Sequence, residues 1–171
     1  MYPQSSRAGN RPLYTAQERR RRDASPWTLV QGLLAPLQFL VFLVSLVLVL
    51  RYLGTGDGLA AATASIVVKT LVLYTIMVTG SIWEKDVFGK FLFARPFFWE
   101  DMVSMLVLAL HTAYLAAWLF GLLNARGQML LALAAYTAYV INAAQFLIKL
   151  RAARREAQRP PSAPRLVEAA E

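Results

Sequence analysis

Four apolar stretches, each long enough to cross a lipid bilayer, limit this chain to very few folds. Residues 27–50 contain 24 positions without a charge, and at about 1.5 Å per residue a helix of that length spans a hydrocarbon core of about 30 Å with some tilt. Similar runs follow at 59–83, where Lys69 is the only charge, and at 102–124 and 128–148. In lipid every backbone polar group must find its partner inside the protein, so long apolar runs without strand alternation predict helices. The reading is an all-α, integral membrane, up-down bundle of four transmembrane helices at about 27–52, 59–83, 97–124 and 128–150. A hydrophobic share of 57% against 16% charged agrees with that class.

The +8 charge does not point to nucleic acid, because its lysines and arginines flank the apolar runs. Placing both tails and the 84–101 loop on the cytoplasmic face puts fifteen of the 18 there, with Arg51 and Arg126 outside and Lys69 in the membrane. The positive-inside rule therefore predicts cytoplasmic N- and C-termini. Residues 1–25, with Arg19 to Arg22, read as a disordered basic arm that meets anionic lipid. Residues 26–155 form the four-helix domain, and 156–171 a disordered C-terminal tail. The first apolar run is too long for a signal-peptide core, so no cleaved leader is expected. The absence of cysteine excludes disulfides, thiolate metal sites and cysteine nucleophiles.

Chemistry is concentrated in the loop WEKDVFGKFLFARPFFWED, Trp83 to Asp101. Five carboxylates lie outside the tails, and Glu84, Asp86, Glu100 and Asp101 are four of them. Lys85, Lys90 and Arg95 accompany them, interleaved with Phe88, Phe91, Phe93, Phe97, Phe98 and Trp99. Carboxyls at an aromatic membrane edge can divide general acid and base work, one kept protonated by burial and another kept ionised by a cation. The same residues also fit plain interfacial anchoring. No phosphate-cradling glycine loop, zinc-binding pair or Ser, His, Asp constellation is present to favour another reaction.

Polar residues inside the runs are spaced for one face of each helix. Gln31, Gln38 and Ser45 recur every seven residues, and Glu100, Ser104, His111 and Trp118 fall within about 40° at 100° per residue. Tyr139, Asn142, Gln145 and Lys149 occupy a wedge of about 120° that can converge with the loop. Pro36 is expected to kink the first helix. Lys69 reads first as a snorkelling or ion-paired residue and second as a substrate contact. His111 is open to two readings, a neutral histidine bonded within the bundle or an axial ligand to a metal carried by a bound pigment.

The segments RRRRDASPWTLVQG, TASIVVKTLVLYTIMVTGSIWEKDVFGK, FFWEDMVSMLVLALHTAYL and AYVINAAQF resemble the vinyl bacteriochlorophyllide hydratases of bacteriochlorophyll synthesis. The resemblance runs from about Leu13 to Arg155, and IWEKDVFGK and FFWED are its most specific parts. It implies a hydro-lyase that adds water to the 3-vinyl group of chlorophyllide or bacteriochlorophyllide, giving the 3-(1-hydroxyethyl) derivative. It further implies a bacterial cytoplasmic membrane, water as co-substrate and no cofactor, since the magnesium belongs to the substrate. Within that frame Glu84 or Glu100 is the general acid, and Asp86 or Asp101 activates water or stabilises the cation. His111, Asn142 and Gln145 become candidate ligands to the substrate magnesium or donors to ring substituents. Trp83, Phe88, Phe91 and Trp99 are candidates for stacking on the macrocycle, and Lys85, Lys90 or Arg95 for holding its propionate. A tetrapyrrole carrier without chemistry is the competing class, and a site between protomers or contacts with other pigment enzymes remain open.

Overall fold

A computed structural model describes residues 13–157. Five α-helices follow one another: α1 (Ala16–Ala24), α2 (Pro26–Thr55), α3 (Leu59–Phe88), α4 (Phe98–Leu119) and α5 (Ala125–Ala157), with a 3₁₀ turn at Arg95–Phe97. No strand occurs among the described residues. Helices α2 to α5 are each long and apolar enough to cross a membrane. The protein is therefore a multi-pass helical membrane protein.

Cross-helix hydrogen bonds show that neighbours run antiparallel. Gln31 donates to Thr79 at 2.8 Å near one end of the α2 and α3 pair, and Ser45 meets Ser65 at 2.7 Å further along. Tyr74 bonds Thr112 at 2.8 Å between α3 and α4, and Ser104 donates to Asn142 at 3.2 Å between α4 and α5. The stripe of Gln31, Gln38 and Ser45 thus faces the other helices, as its spacing predicts. Ala132, Ala135 and Ala138 of α5 are buried, and their small side chains allow close backbone approach. Large apolar residues such as Leu33, Val44 and Phe120 are more than half exposed on the outside. An apolar exterior around a hydrogen-bonded interior is the arrangement that lipid favours.

Several boundaries differ from the sequence reading, each for a local reason. The chain bearing Arg19 to Arg22 is helical, not disordered over 16–24, because Thr15 and Glu18 form a reciprocal cap: Thr15 N–H donates to Glu18 at 2.7 Å and Glu18 N–H to Thr15 at 3.2 Å. Residues 1–12 and 158–171, with the arm and tail expected there, lie outside the described residues. Helix α2 continues through Pro36 as one element. Helix α3 runs on past Trp83 to Phe88, so the long loop shrinks to 89–94 and the 3₁₀ turn, and Glu84 and Asp86 are helical. Helix α4 stops at Leu119, and α5 starts earlier, with Asn124 accepting from Gly127 N–H at 2.7 Å as its cap.

Gly89 ends α3 at φ +81°, where its N–H donates to Lys85 O at 2.9 Å. A side chain is disfavoured in that left-handed conformation. Gly89→Ala is expected to destabilise the protein by ~1 kcal/mol, measured as a lowered thermal midpoint in detergent. An unchanged midpoint would mean that the turn relaxes freely.

Candidate functional site

Extending α3 and starting α4 at Phe98 brings three acids of the loop to one end of the bundle. Glu84, Glu100 and Asp101 are all buried, at 5%, 6% and 3% exposure. The short connection folds over them: Phe93 N–H donates to Asp101 Oδ2 at 2.8 Å, and Ala94 N–H to Glu84 Oε2 at 3.1 Å. Phe93 takes φ +58°, uncommon for a bulky residue, and its bond to Asp101 helps to hold it there. Two consecutive amides thus hold the buried Asp101 and Glu84 carboxyls beneath the same short connection.

Glu100 faces away from this pair toward α5. Lys149 Nζ forms an ion pair with Glu100 and donates also to Pro96 O, with the Phe97 ring centroid 5.2 Å away. Asn142 donates to the Glu100 backbone oxygen at 2.9 Å and accepts from Ser104 at 3.2 Å. Both polar ends of its amide are therefore engaged. Gln145, one turn on, keeps a buried Oε1 without a partner among the described residues. A cavity of about 420 Å³ opens here, lined by Leu13, Glu100, Gln145, Ile148, Lys149, Ala152 and Ala153. That volume lies within the roughly 300–1,000 Å³ of small-molecule sites.

Not every expected residue joins the site. Asp86 is exposed on the outer face of α3, away from the other three acids. Lys85 lies over the exposed Phe91 ring at 4.6 Å, and Lys90 and Arg95 are exposed; none lines the cavity. Trp83 and Phe88 pack inward with Phe97 at 5.7 and 5.9 Å, and Trp83 Nε1 donates to Thr28 at 2.9 Å. Trp99 is 70% exposed. These aromatics brace the fold or face outward, and the apolar part of the cavity wall, Leu13, Ile148, Ala152 and Ala153, is aliphatic.

His111 lies in the middle of the bundle, fully buried, its Nδ1 donating to Val107 O at 2.8 Å. Its Nε2 has no partner among the described residues, so this bond fits both readings of the residue. Trp118, expected on the same face, is 42% exposed near the end of α4. Lys69 does not snorkel. Its buried ammonium nitrogen sits 4.0 Å from the Tyr139 ring centroid and 5.4 Å from that of Tyr136, without an ion pair among the described residues.

Sequence reasoning missed the N-terminal contribution. Leu13 reaches the cavity, and Tyr14 is buried with its ring stacked on Phe88 at 5.8 Å. Burial raises the Tyr14 phenol above its ordinary value, against the opposing effect of Arg22. The capping sequence TAQE was the legible signal that this stretch is ordered.

Comparison with known proteins gives a consistent result. The family described as 2-vinyl bacteriochlorophyllide hydratase (BCHF) matches residues 14–152. A 2-vinyl bacteriochlorophyllide hydratase of Cereibacter sphaeroides is 66% identical over 154 residues, 90% of this chain and 96% of that protein. One from Rhodobacter capsulatus is 67% identical over 145 residues, 85% of this chain and 84% of that protein. No solved structure matches the chain.

Proposed function

The chain belongs to the 2-vinyl bacteriochlorophyllide hydratase family, and from this we infer that it adds water to the ring vinyl group of chlorophyllide or bacteriochlorophyllide, giving a 1-hydroxyethyl group. It is a hydro-lyase of bacteriochlorophyll synthesis. The observation that carries the assignment of residues is Glu100, a buried carboxyl on the wall of the cavity, paired with Lys149 and adjacent in the chain to the buried Asp101.

Hydration joins a proton to the terminal vinyl carbon and hydroxide to the carbon attached to the ring. Glu100, in its acid form, gives its proton to the terminal carbon. The π electrons of the vinyl group form the new C–H bond, leaving positive charge on the inner carbon, spread into the macrocycle. The Glu100 carboxylate, held by Lys149, then stabilises that cation and removes a proton from the attacking water. One proton enters and one returns. Water is the co-substrate, and because no redox change of the whole molecule occurs, proton transfer suffices without a cofactor.

Gln145 lines the cavity, and its amide oxygen, buried and without a partner among the described residues, is a hard donor of the kind that suits the substrate magnesium or a ring substituent with an N–H or O–H. His111 is eleven residues from Glu100 along α4, about 16 Å at 1.5 Å per residue. Asn142 holds α4 to α5. The charge distribution supports both termini and the catalytic end on the cytoplasmic side of a bacterial cytoplasmic membrane.

Position within the site sets the order of effects. Asp86→Asn is expected to leave turnover within about twofold, as at an ordinary surface position, whereas Glu84→Gln, which disturbs the buried carboxyl that holds the 93–94 turn over the site, should lower it at least tenfold. Both are read from product formation in membranes at matched protein level. A severe loss in Asp86→Asn with full activity in Glu84→Gln would reverse the assignment.

A further inference from the structure

A chlorophyllide carries a free propionate, and the cations expected to hold it, Lys85, Lys90 and Arg95, are in neither cavity wall. This inference rests on the hydratase reading, which supplies the carboxylate. Lys149, the cation in the catalytic cavity, is already engaged by Glu100 and Pro96 O. The structure offers other cations close by. Leu13 lines the catalytic cavity, and the next residue, Tyr14, lines a second one of about 450 Å³ with Thr15, Ala16, Arg19, Arg20 and Asp23.

That second cavity is anchored and positively charged. The Tyr14 ring is buried between Phe88 and Phe97, at 5.8 and 6.4 Å, which fixes the start of α1 against the catalytic end of the bundle. Asp23 is the only acid in its wall, and Arg22 neutralises it through bonds of 2.9 and 2.6 Å. Arg22 is further occupied by the Tyr14 ring, 4.8 Å below its guanidinium. Arg19 and Arg20 enter no ion pair among the described residues. Two uncommitted, solvent-exposed guanidiniums thus border an open groove on α1 whose residue Tyr14 follows Leu13 of the catalytic cavity in the chain. Guanidinium forks match a carboxylate in geometry and charge.

We propose that Arg19 and Arg20, on the first two turns of α1, form the subsite for the substrate propionate while the vinyl end of the macrocycle lies at Glu100. Helix α1 then selects pigments bearing the free acid over esterified ones. The test compares chlorophyllide with its propionate methyl ester, using membranes that contain the full chain and the Arg19→Gln, Arg20→Gln double variant. The KM for the acid is expected to rise by about tenfold or more, the scale of a lost charge-assisted contact, with kcat nearly unchanged. For the ester, KM should not change between wild type and variant.

Equal increases for acid and ester would overturn the proposal and assign α1 to the membrane surface or to packing. An unchanged KM for the acid would overturn it as well. Binding titrations followed by pigment absorbance, made in a Glu100→Gln background, give the same contrast without turnover. A wild-type protein that binds the acid more tightly than the ester but never hydrates it would defeat the hydratase reading and leave this subsite standing.

Discussion

Glu100→Gln is expected to lower the rate of vinyl hydration by about 10²–10⁴-fold, the range for removal of a general acid or base, while the pigment still binds. Glutamine preserves the length and shape of the side chain, the Asn142 bond to the backbone oxygen of residue 100 is untouched, and Lys149, the more exposed partner, keeps Pro96 O as an acceptor. What disappears is a group that can carry a proton to carbon and then, as an anion, face the cation it has made. Glu84 and Asp101 do not line the cavity, so neither can replace it. The check is single-turnover product formation beside an absorbance titration of bound pigment. Parallel loss of binding and turnover would make Glu100 a structural group.

Lys149→Met should be the more damaging change to the fold. Lys149 and Glu100 are both largely shielded, with side-chain exposures of 24% and 8%. Removing one member of a shielded ion pair leaves the other charge without compensation, a loss of about 3–5 kcal/mol in well-buried cases. Partial access of water to Lys149 places this one at the lower end, ~3 kcal/mol. The Pro96 carbonyl also loses its donor, loosening the turn that carries Phe97. Combining the change with Glu100→Gln removes the stranded charge, so the double variant should unfold at a higher temperature than Lys149→Met alone. A double-variant cycle of thermal midpoints in detergent measures that coupling. Strict additivity would show that the pair contributes nothing as a pair.

The bundle itself was legible in the sequence because bilayer thickness is a strict ruler: uninterrupted apolar runs fix the number of spans, and seven-residue spacing of Gln31, Gln38 and Ser45 fixes an inward face. The gathering of Glu84, Glu100 and Asp101 was legible as composition, and Asn142, Gln145 and Lys149 as a facing wedge. Sequence did not separate Asp86 from the others. That depends on α3 continuing to Gly89, since only within a helix do positions 84 and 86 face different directions. Trp83 and Phe88 looked like stacking partners for a macrocycle, but aromatic composition alone does not tell an interior brace from a cavity wall. Lys69 was read as snorkelling because its enclosure by Tyr139 of α5 depends on a contact seventy residues away. The part played by Leu13 and Tyr14 was hidden for the same reason: it is long-range packing onto the end of α3 and the 3₁₀ turn.

The most direct test of the central claim is to supply membranes containing this chain with chlorophyllide in water labelled with heavy oxygen, without nucleotide or added metal, and to follow the red absorption band and the product mass. The account predicts a blue shift and a gain of one labelled water in the wild type, with Glu100→Gln binding the pigment unchanged. Pigment bound by the wild type without gain of water would contradict it and identify a carrier.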